Sequence, residues 1–372
     1  MPTRSYLDHA ATSALHPAAL AAMTRALEQL GNPGSLHGSG RAAKRLLEDA
    51  REELAAALGV AAGDVLFTSG GTEADSLAVL GTAKARPGRP RALLGATEHP
   101  AVRDAAMFGQ ADLVGVDADG VVRLEELGGL LAPDVGIVSL QWVNNETGTI
   151  QPVAQAAELA RAAGAWMHSD AVQAFGHVAV DATAVDLLSV SAHKLGGPVG
   201  IGALVARRET RPVALGPGGG QEAGIRSGTP SVALAAGFAA AATLAQASLD
   251  EEAERLTVLR ERLVAAVAAI PRTRVNGGVA SPAISNVTFE GCRADDLLLL
   301  LDAAGIDCSV GSACRAGVHE PSQVLLAMGR TPAQAASSLR FSFGWSTTDA
   351  DLDRLLSVLA DAVERARLAA TS

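Results

Sequence analysis

The chain has 372 residues, enough for about two domains at roughly 150 residues each, and is 48% hydrophobic but only 3% aromatic. Alanine supplies much of the apolar content, which favours helices and an α/β class over an aromatic-rich sandwich. A formal net charge of −10 argues against a general phosphate-binding field, so no direct nucleic-acid contact is expected. The three cysteines, Cys292, Cys308 and Cys314, contain no CxxC pair, which argues against a disulfide framework or a cysteine-rich zinc site and fits a reduced, cytoplasmic setting.

The first residues, MPTRSYLDHAATS, lack the apolar core of a secretory signal and read as a short strand and loop. Pro17 can open a helix over 17–30, which GNPG then stops. A second helix is expected over 41–58, with Leu46, Leu47, Leu54 and Leu58 on its apolar face and Gly59 as its C-terminal cap. The run 64–68 reads as a strand, and SGGTEADSLAVL leads from it into a helix. Backbone N–H groups at such a helix start, with the Thr72 hydroxyl, suit a phosphate; an ordinary N-capped helix fits the same residues.

Alternation continues with strands at RALLGA, ADLVGV and VGIVSLQWV and helices at 99–108, 124–131 and 152–163. Such a pattern predicts a mainly parallel sheet, with ligands at the carboxyl ends of its strands. Asp170, just past an apolar run, reads either as a buried carboxylate needing a cation or as a helix N-cap, with Gln173 at capping-box spacing. In SVSAHKLGGPVG, Lys194 stands between two apolar runs, as an exposed loop lysine or as an amine poised to condense with a carbonyl cofactor.

GIGALVARR is a further strand, and PGGGQEAGIRSGTPS a long glycine-rich loop. One long helical segment is expected from 230 to about 270; its alanine-rich part, 232–247, is too short to span a membrane comfortably. Beyond residue 271, SNVTFEG, IDCSV and LRFSFG read as strands, ADDLLLLLDAAG and the end of the chain from Asp349 as helices, an α+β plan. There are no repeats of fixed period and no flexible linker.

Taken in order, YLDHAAT, FTSGGTEADSLAV, EHPAV, NNETGTIQP, HSDAVQAFG, SAHKLGGPVGIGAL, GGGQEAGIRSGTP and GSACRAG resemble the cysteine desulfurases, pyridoxal phosphate (PLP) enzymes of the class V aminotransferase group. The SAC loop is similar to that of the housekeeping, iron–sulfur-cluster branch. The resemblance covers essentially the whole chain. It implies a fold type I PLP-dependent transferase, with a large domain over 13–255 built on a mainly parallel seven-stranded sheet. A smaller α+β domain, 1–12 with 256–372, would carry the cysteine loop.

The resemblance also implies roles. Lys194 matches the lysine that links to PLP, Asp170 the carboxylate facing the pyridinium nitrogen, Gln173 the partner of the ring hydroxyl and His99 the histidine that stacks on the ring and moves protons. Thr72, Ser191 and His193 match phosphate contacts, and Thr229 one that reaches in from the partner subunit of a homodimer. Asn145 and Arg340 match groups that hold the substrate, L-cysteine, with Arg340 suited to its carboxylate. Cys314 matches the catalytic thiol, which would pass its sulfur to an acceptor protein, an iron–sulfur scaffold or a tRNA-thiolating enzyme; no metal site is implied beyond transient iron–sulfur ligation by Cys314. Two positions depart from the family pattern: Ser76 stands where Asn is common, and Val172 where Thr is. Selenocysteine lyase, another PLP reaction on this fold, and an idle subunit organising a sulfur-transfer complex are the alternatives.

Overall fold

The computed structural model describes residues 4–106, 109–311 and 321–370; Cys314 and its loop lie outside the described residues. The strands, in chain order, are β1 Ser5–Tyr6, β2 Val65–Thr68, β3 Arg91–Gly95, β4 Gln110–Val114, β5 Val135–Ser139, β6 Trp166–Asp170, β7 Leu187–Ser191, β8 Gly202–Ala206, β9 Thr273–Asn276, β10 Ile284–Phe289, β11 Ile306–Asp307 and β12 Ser338–Ser342. The helices are α1 Pro17–Leu27, α2 Gly38–Leu58, α3 Gly71–Ala85, α4 Pro100–Ala106, α5 Leu124–Leu130, α6 Val153–Ala162, α7 Val232–Ala247, α8 Leu249–Ala268, α9 Ala294–Ala303, α10 Gln323–Ala327, α11 Pro332–Ala335 and α12 Asp349–Ala369.

The central sheet has seven strands in the order β2-β8-β7-β6-β5-β3-β4. The sheet is mixed, because β8 alone runs against its neighbours, and the four remaining strand pairs are parallel, the mainly parallel plan expected. Every residue of β2, β5, β7 and β8 is buried, as a sheet covered on both faces requires. Asp170, Ser191 and the turns after β2, β3 and β5 all stand at carboxyl ends of strands that run the same way.

A second sheet, β12-β10-β9, is antiparallel, and α12 packs on α8 and α9 beside it. β1 pairs with β11 in parallel, so the N-terminal residues sit against the C-terminal part of the chain. The expected strand at IDCSV is only the two residues of β11.

The single helix expected over 230–270 is two, bent by 72° at Ser248. Ser248 sends both its N–H and its hydroxyl back to the Leu244 carbonyl, 3.0 Å each, and its backbone leaves the helical region. The two halves then serve different surfaces. α7 is buried against α1 and α2, with Gly237 leaving room for Met23, whose Cγ would lie 2.5 Å from an added Cβ. α8 is amphipathic and buries Leu256, Leu259, Leu263 and Val267. Among the described residues no single helix is long and apolar enough to cross a membrane. The second helix starts three residues before the expected 41, with His37 Nδ1 accepting from the Gly40 N–H as its cap.

Candidate active site

A cavity of about 370 Å³ opens at the carboxyl ends of β2, β5, β6 and β7. Nine expected residues line it: Thr72, His99, Asn145, Asp170, Gln173, Ser191, His193, Lys194 and Arg340. Thr229 does not; it is exposed on the glycine-rich loop, away from this chain's cavity.

The turn after β2 lacks the side-chain cap that the plainer reading of SGGTEADSLAVL requires. Helix α3 begins at Gly71 with no side-chain cap, so its first N–H groups are left for a ligand together with the Thr72 hydroxyl. Glycine is needed there: a Cβ on Gly71 would lie 2.7 Å from Val172 Cγ2 and 3.7 Å from Ser191 Cβ. Ser191 and His193 approach from the end of β7, and Thr12 Oγ1 lies 3.1 Å from His193 Nδ1. Burial lowers the His193 pKa to about 4, so its ring is neutral near pH 7.

Asp170 is the last residue of β6, not a helix N-cap, and is 7% exposed. Its Oδ1 accepts the Val172 N–H at 2.9 Å, while Gln173 sends its amide to the Ala10 carbonyl at 2.8 Å instead of closing a capping box. Burial pushes the Asp170 carboxyl up, opposed by the charges of His99 and Lys194. A cation placed beside it would reverse that shift, which is what a protonated ring nitrogen would do.

Lys194 follows β7 and is half-buried. Its Nζ donates to the carbonyls of Ala10 and Ala11, at 2.6 and 2.7 Å. Burial and the nearby Arg340 charge bring its pKa down to about 8, within reach of the free amine that condensation needs. Its own carbonyl accepts from Ser13 Oγ at 2.9 Å and lies 3.2 Å from His177 Nε2, fixing the turn. His99 Nδ1 accepts the Ala101 N–H at 3.1 Å, which leaves Nε2 to carry the proton of the neutral ring. Burial lowers the His99 pKa and keeps the ring in that form.

Arg340 enters from β12 and is 5% exposed. Nη1 donates to the Asn145 carbonyl and Nη2 to Asp8 Oδ1, both at 2.8 Å, and its buried Nε has no partner among the described residues. The guanidinium lines the cavity beside Lys194 with two of its five N–H groups engaged in these bonds, which suits it to a small carboxylate.

Sequence reasoning missed a set of polar groups behind these. Asp75 and Gln141 line the cavity, and Glu98 lies beneath it, 1% exposed, with Oε1 accepting the Gln141 N–H at 2.5 Å. His168 is fully buried between Ser139 Oγ, 2.8 Å away, and Ser189 Oγ, 3.0 Å away, with Asp75 Oδ1 at 3.6 Å. Burial, and the negative charge of Asp170, raise both Asp75 and Glu98, the latter to about 8. Asp75 was legible only as a carboxylate among the inward-facing Ala74, Leu77 and Ala78 of an apolar helix.

The class-V aminotransferase family profile matches residues 5–355. An IscS-like cysteine desulfurase of Mycobacterium tuberculosis is 47% identical over 98% of both chains. The chain belongs to the class-V aminotransferases, among the cysteine desulfurases. This family is PLP-dependent, and a cysteine desulfurase of Cereibacter sphaeroides is 42% identical over 98% of this chain and 97% of its own. Among solved structures, a NifS-like protein superposes with a TM-score of 0.91 at 32% identity, covering 98% of this chain and all of that one. A protein titled SspA in complex with cysteine gives 0.80 at 29% identity over 91% of this chain and 98% of that one. These class-V relatives share the fold type I plan expected from the motifs.

The residues present fit PLP: a helix N-terminus without a cap for the phosphate, a buried carboxyl lacking a cation for the ring nitrogen, and an amine of lowered pKa for the aldehyde.

Proposed function

We propose that this cysteine desulfurase converts L-cysteine and the Cys314 thiol into L-alanine and a Cys314 persulfide, and that the persulfide sulfur goes to an acceptor protein for iron–sulfur clusters. The observation that carries the reading is the convergence of Lys194, Asp170 and Arg340 on one cavity floored by the uncapped start of α3. Bound PLP supplies the aldehyde for Lys194 and an electron-withdrawing ring. Asp170 holds the ring nitrogen, the α3 N–H groups with Thr72, Ser191 and His193 hold the phosphate, and Gln173 faces the ring hydroxyl. Arg340 and Asn145 hold the amino acid, with the Arg340 guanidinium meeting its carboxylate. Lys194 Nζ removes the Cα proton, and His99 Nε2 moves protons at the substrate. The C–S bond of the substrate breaks as Cys314 sulfur takes up the substrate sulfur, and Cβ gains a proton to become the methyl group of alanine, so atoms balance.

A homodimer in the cytoplasm, with Thr229 of each chain reaching its neighbour's phosphate site, completes the proposal; the exposure of Thr229 supports it. The 13–255 segment, with residues 1–12 and 256–372 as a second domain, is the division we propose. To test the function, purified holoenzyme is given L-cysteine, and alanine and protein-bound persulfide are quantified. Wild type should make both, Cys314→Ser neither. Full turnover by Cys314→Ser would sink the persulfide step.

A further inference from the structure

The glycine-rich segment 216–230 is anchored at two points, one on each side of the β2–α3 turn. At the first, Glu222 takes the Arg51 guanidinium two-pronged, Nη1 to Oε2 at 2.7 Å and Nη2 to Oε1 at 2.8 Å, with side chains 2% and 10% exposed. The pair lies along the free edge of the seven-stranded sheet. Arg51 Nη1 also donates to the Val65 carbonyl, and the Phe67 N–H donates to Glu222 Oε2, each at 2.8 Å, while the guanidinium sits 4.8 Å above the Phe67 ring. These are main-chain groups that a further strand would use, so the ion pair closes the edge of β2.

Presenting that carboxylate bends the backbone. Glu222 and Ala223 have φ of 45° and 57°, a left-handed region that side chains other than glycine rarely occupy. At the second anchor, Arg226 Nε meets Glu73 Oε1 at 3.2 Å, and Glu73 Oε2 also takes the Ser69 N–H at 2.5 Å. Glu73 follows Thr72. One anchor therefore grips the strand before the phosphate turn, and the other grips the first turn of the helix after it.

We infer that Arg51–Glu222 and Arg226–Glu73 are positioning pairs that lock the 216–230 segment to this chain's own phosphate turn, coupling the grip on PLP to pairing with a second copy. The inference rests on the reading that Thr229 serves the neighbour's site. Anything that loosens the segment then loosens a chain's own phosphate turn and the hydroxyl it lends. By reciprocity, PLP should tighten the pairing of subunits by the factor by which pairing tightens PLP.

Glu222→Gln tests this in the full-length holoenzyme. The amide keeps the shape but sets an NH₂ against either the Phe67 N–H or the guanidinium, and leaves Arg51 buried without a counter-charge. PLP affinity is measured by equilibrium dialysis over a series of protein concentrations, and subunit pairing by sedimentation. The expected result is a PLP Kd raised about tenfold, as for the loss of one charged hydrogen bond. The dimer should weaken in parallel, and kcat at saturating PLP should be unchanged. An unaltered Kd, or a weakened Kd with the dimer intact, overturns the coupling. Should Glu222→Gln not fold, Arg226→Met, which spares the buried pair, decides: a smaller change in both quantities supports the proposal and no change overturns it. If wild type itself takes no PLP, the functional reading fails instead.

Discussion

Arg340 donates through Nη2 to Asp8 Oδ1 at 2.8 Å, joining positions 332 residues apart in the chain. The carboxylate aims the guanidinium, with the Asn145 carbonyl as the second stop, so that the group lines the substrate site in a fixed orientation. Arg340→Lys removes the fork. We expect KM for L-cysteine to rise at least about tenfold with a smaller change in kcat, because a lysine cannot hold Asp8 and a carboxylate in one plane. Asp8→Asn should raise KM less. Steady-state alanine production measures both, and an unchanged KM in Arg340→Lys would exclude it from substrate binding.

Lys194 should set the pH dependence of cofactor capture. With its pKa brought down to about 8, the reactive free amine should increase about tenfold per pH unit below 8 and level off above it. Mixing cofactor-free protein with PLP at a series of pH values, and following the visible absorbance of the lysine linkage, reads this directly. Lys194→Ala should show no such band. A profile that continues to climb to an ordinary lysine pKa would disprove the burial argument.

Gly71→Ala pushes a methyl group to within 2.7 Å of Val172 Cγ2 at the start of α3. Overpacking of this kind costs about 1–3 kcal/mol, so PLP affinity should fall on the order of tenfold or more as the turn shifts. Val172→Ala added to Gly71→Ala should recover much of the loss, measured by the same dialysis. No rescue would mean that something other than this contact sets the turn.

Glu98 gives a stability prediction with a definite sign. Its folded-state pKa, about 8, lies above the ordinary 4.5, because it is buried near Asp170. Its stabilising contribution is complete below about pH 4.5 and is lost as pH rises toward 8, by up to about 1.4 kcal/mol per pH unit. Glu98→Gln imitates the protonated form and removes that slope. Chemical denaturation from pH 5 to 8 should show the variant gaining on wild type as pH rises; a constant difference between them would contradict the assignment.

Most of the central sheet was legible because its strands are short apolar runs between helices, and β6 and β7 deliver Asp170 and Lys194 at their carboxyl ends. The spacing of Asp170 and Gln173 misled as a capping box because local sequence does not show that Ala10, 163 positions earlier, supplies the acceptor for Gln173. Helix periodicity carried through Ser248 for the same reason: a serine is compatible with a helix, and only the two packing surfaces on either side require the 72° bend. Asp75, Glu98 and His168 were invisible as a group, since their association is made by neighbouring strands and not by spacing. Lys194, an open question within its own stretch, took its role from the resemblance carried by ordered motifs from end to end of the chain.

The N-terminal segment has a consequence for how the protein is made. Ala10 receives Lys194 through its carbonyl and sends its N–H to Ser342 Oγ, while Leu7 and Asp8 hold β12. These residues leave the ribosome about 330 positions before the partners they need in β12. Contacts of such separation form late, after the loop-closure entropy between them is met. A nascent chain that has already folded its large sheet therefore still lacks Arg340, and the substrate side of the cavity is finished only once β12 has been made.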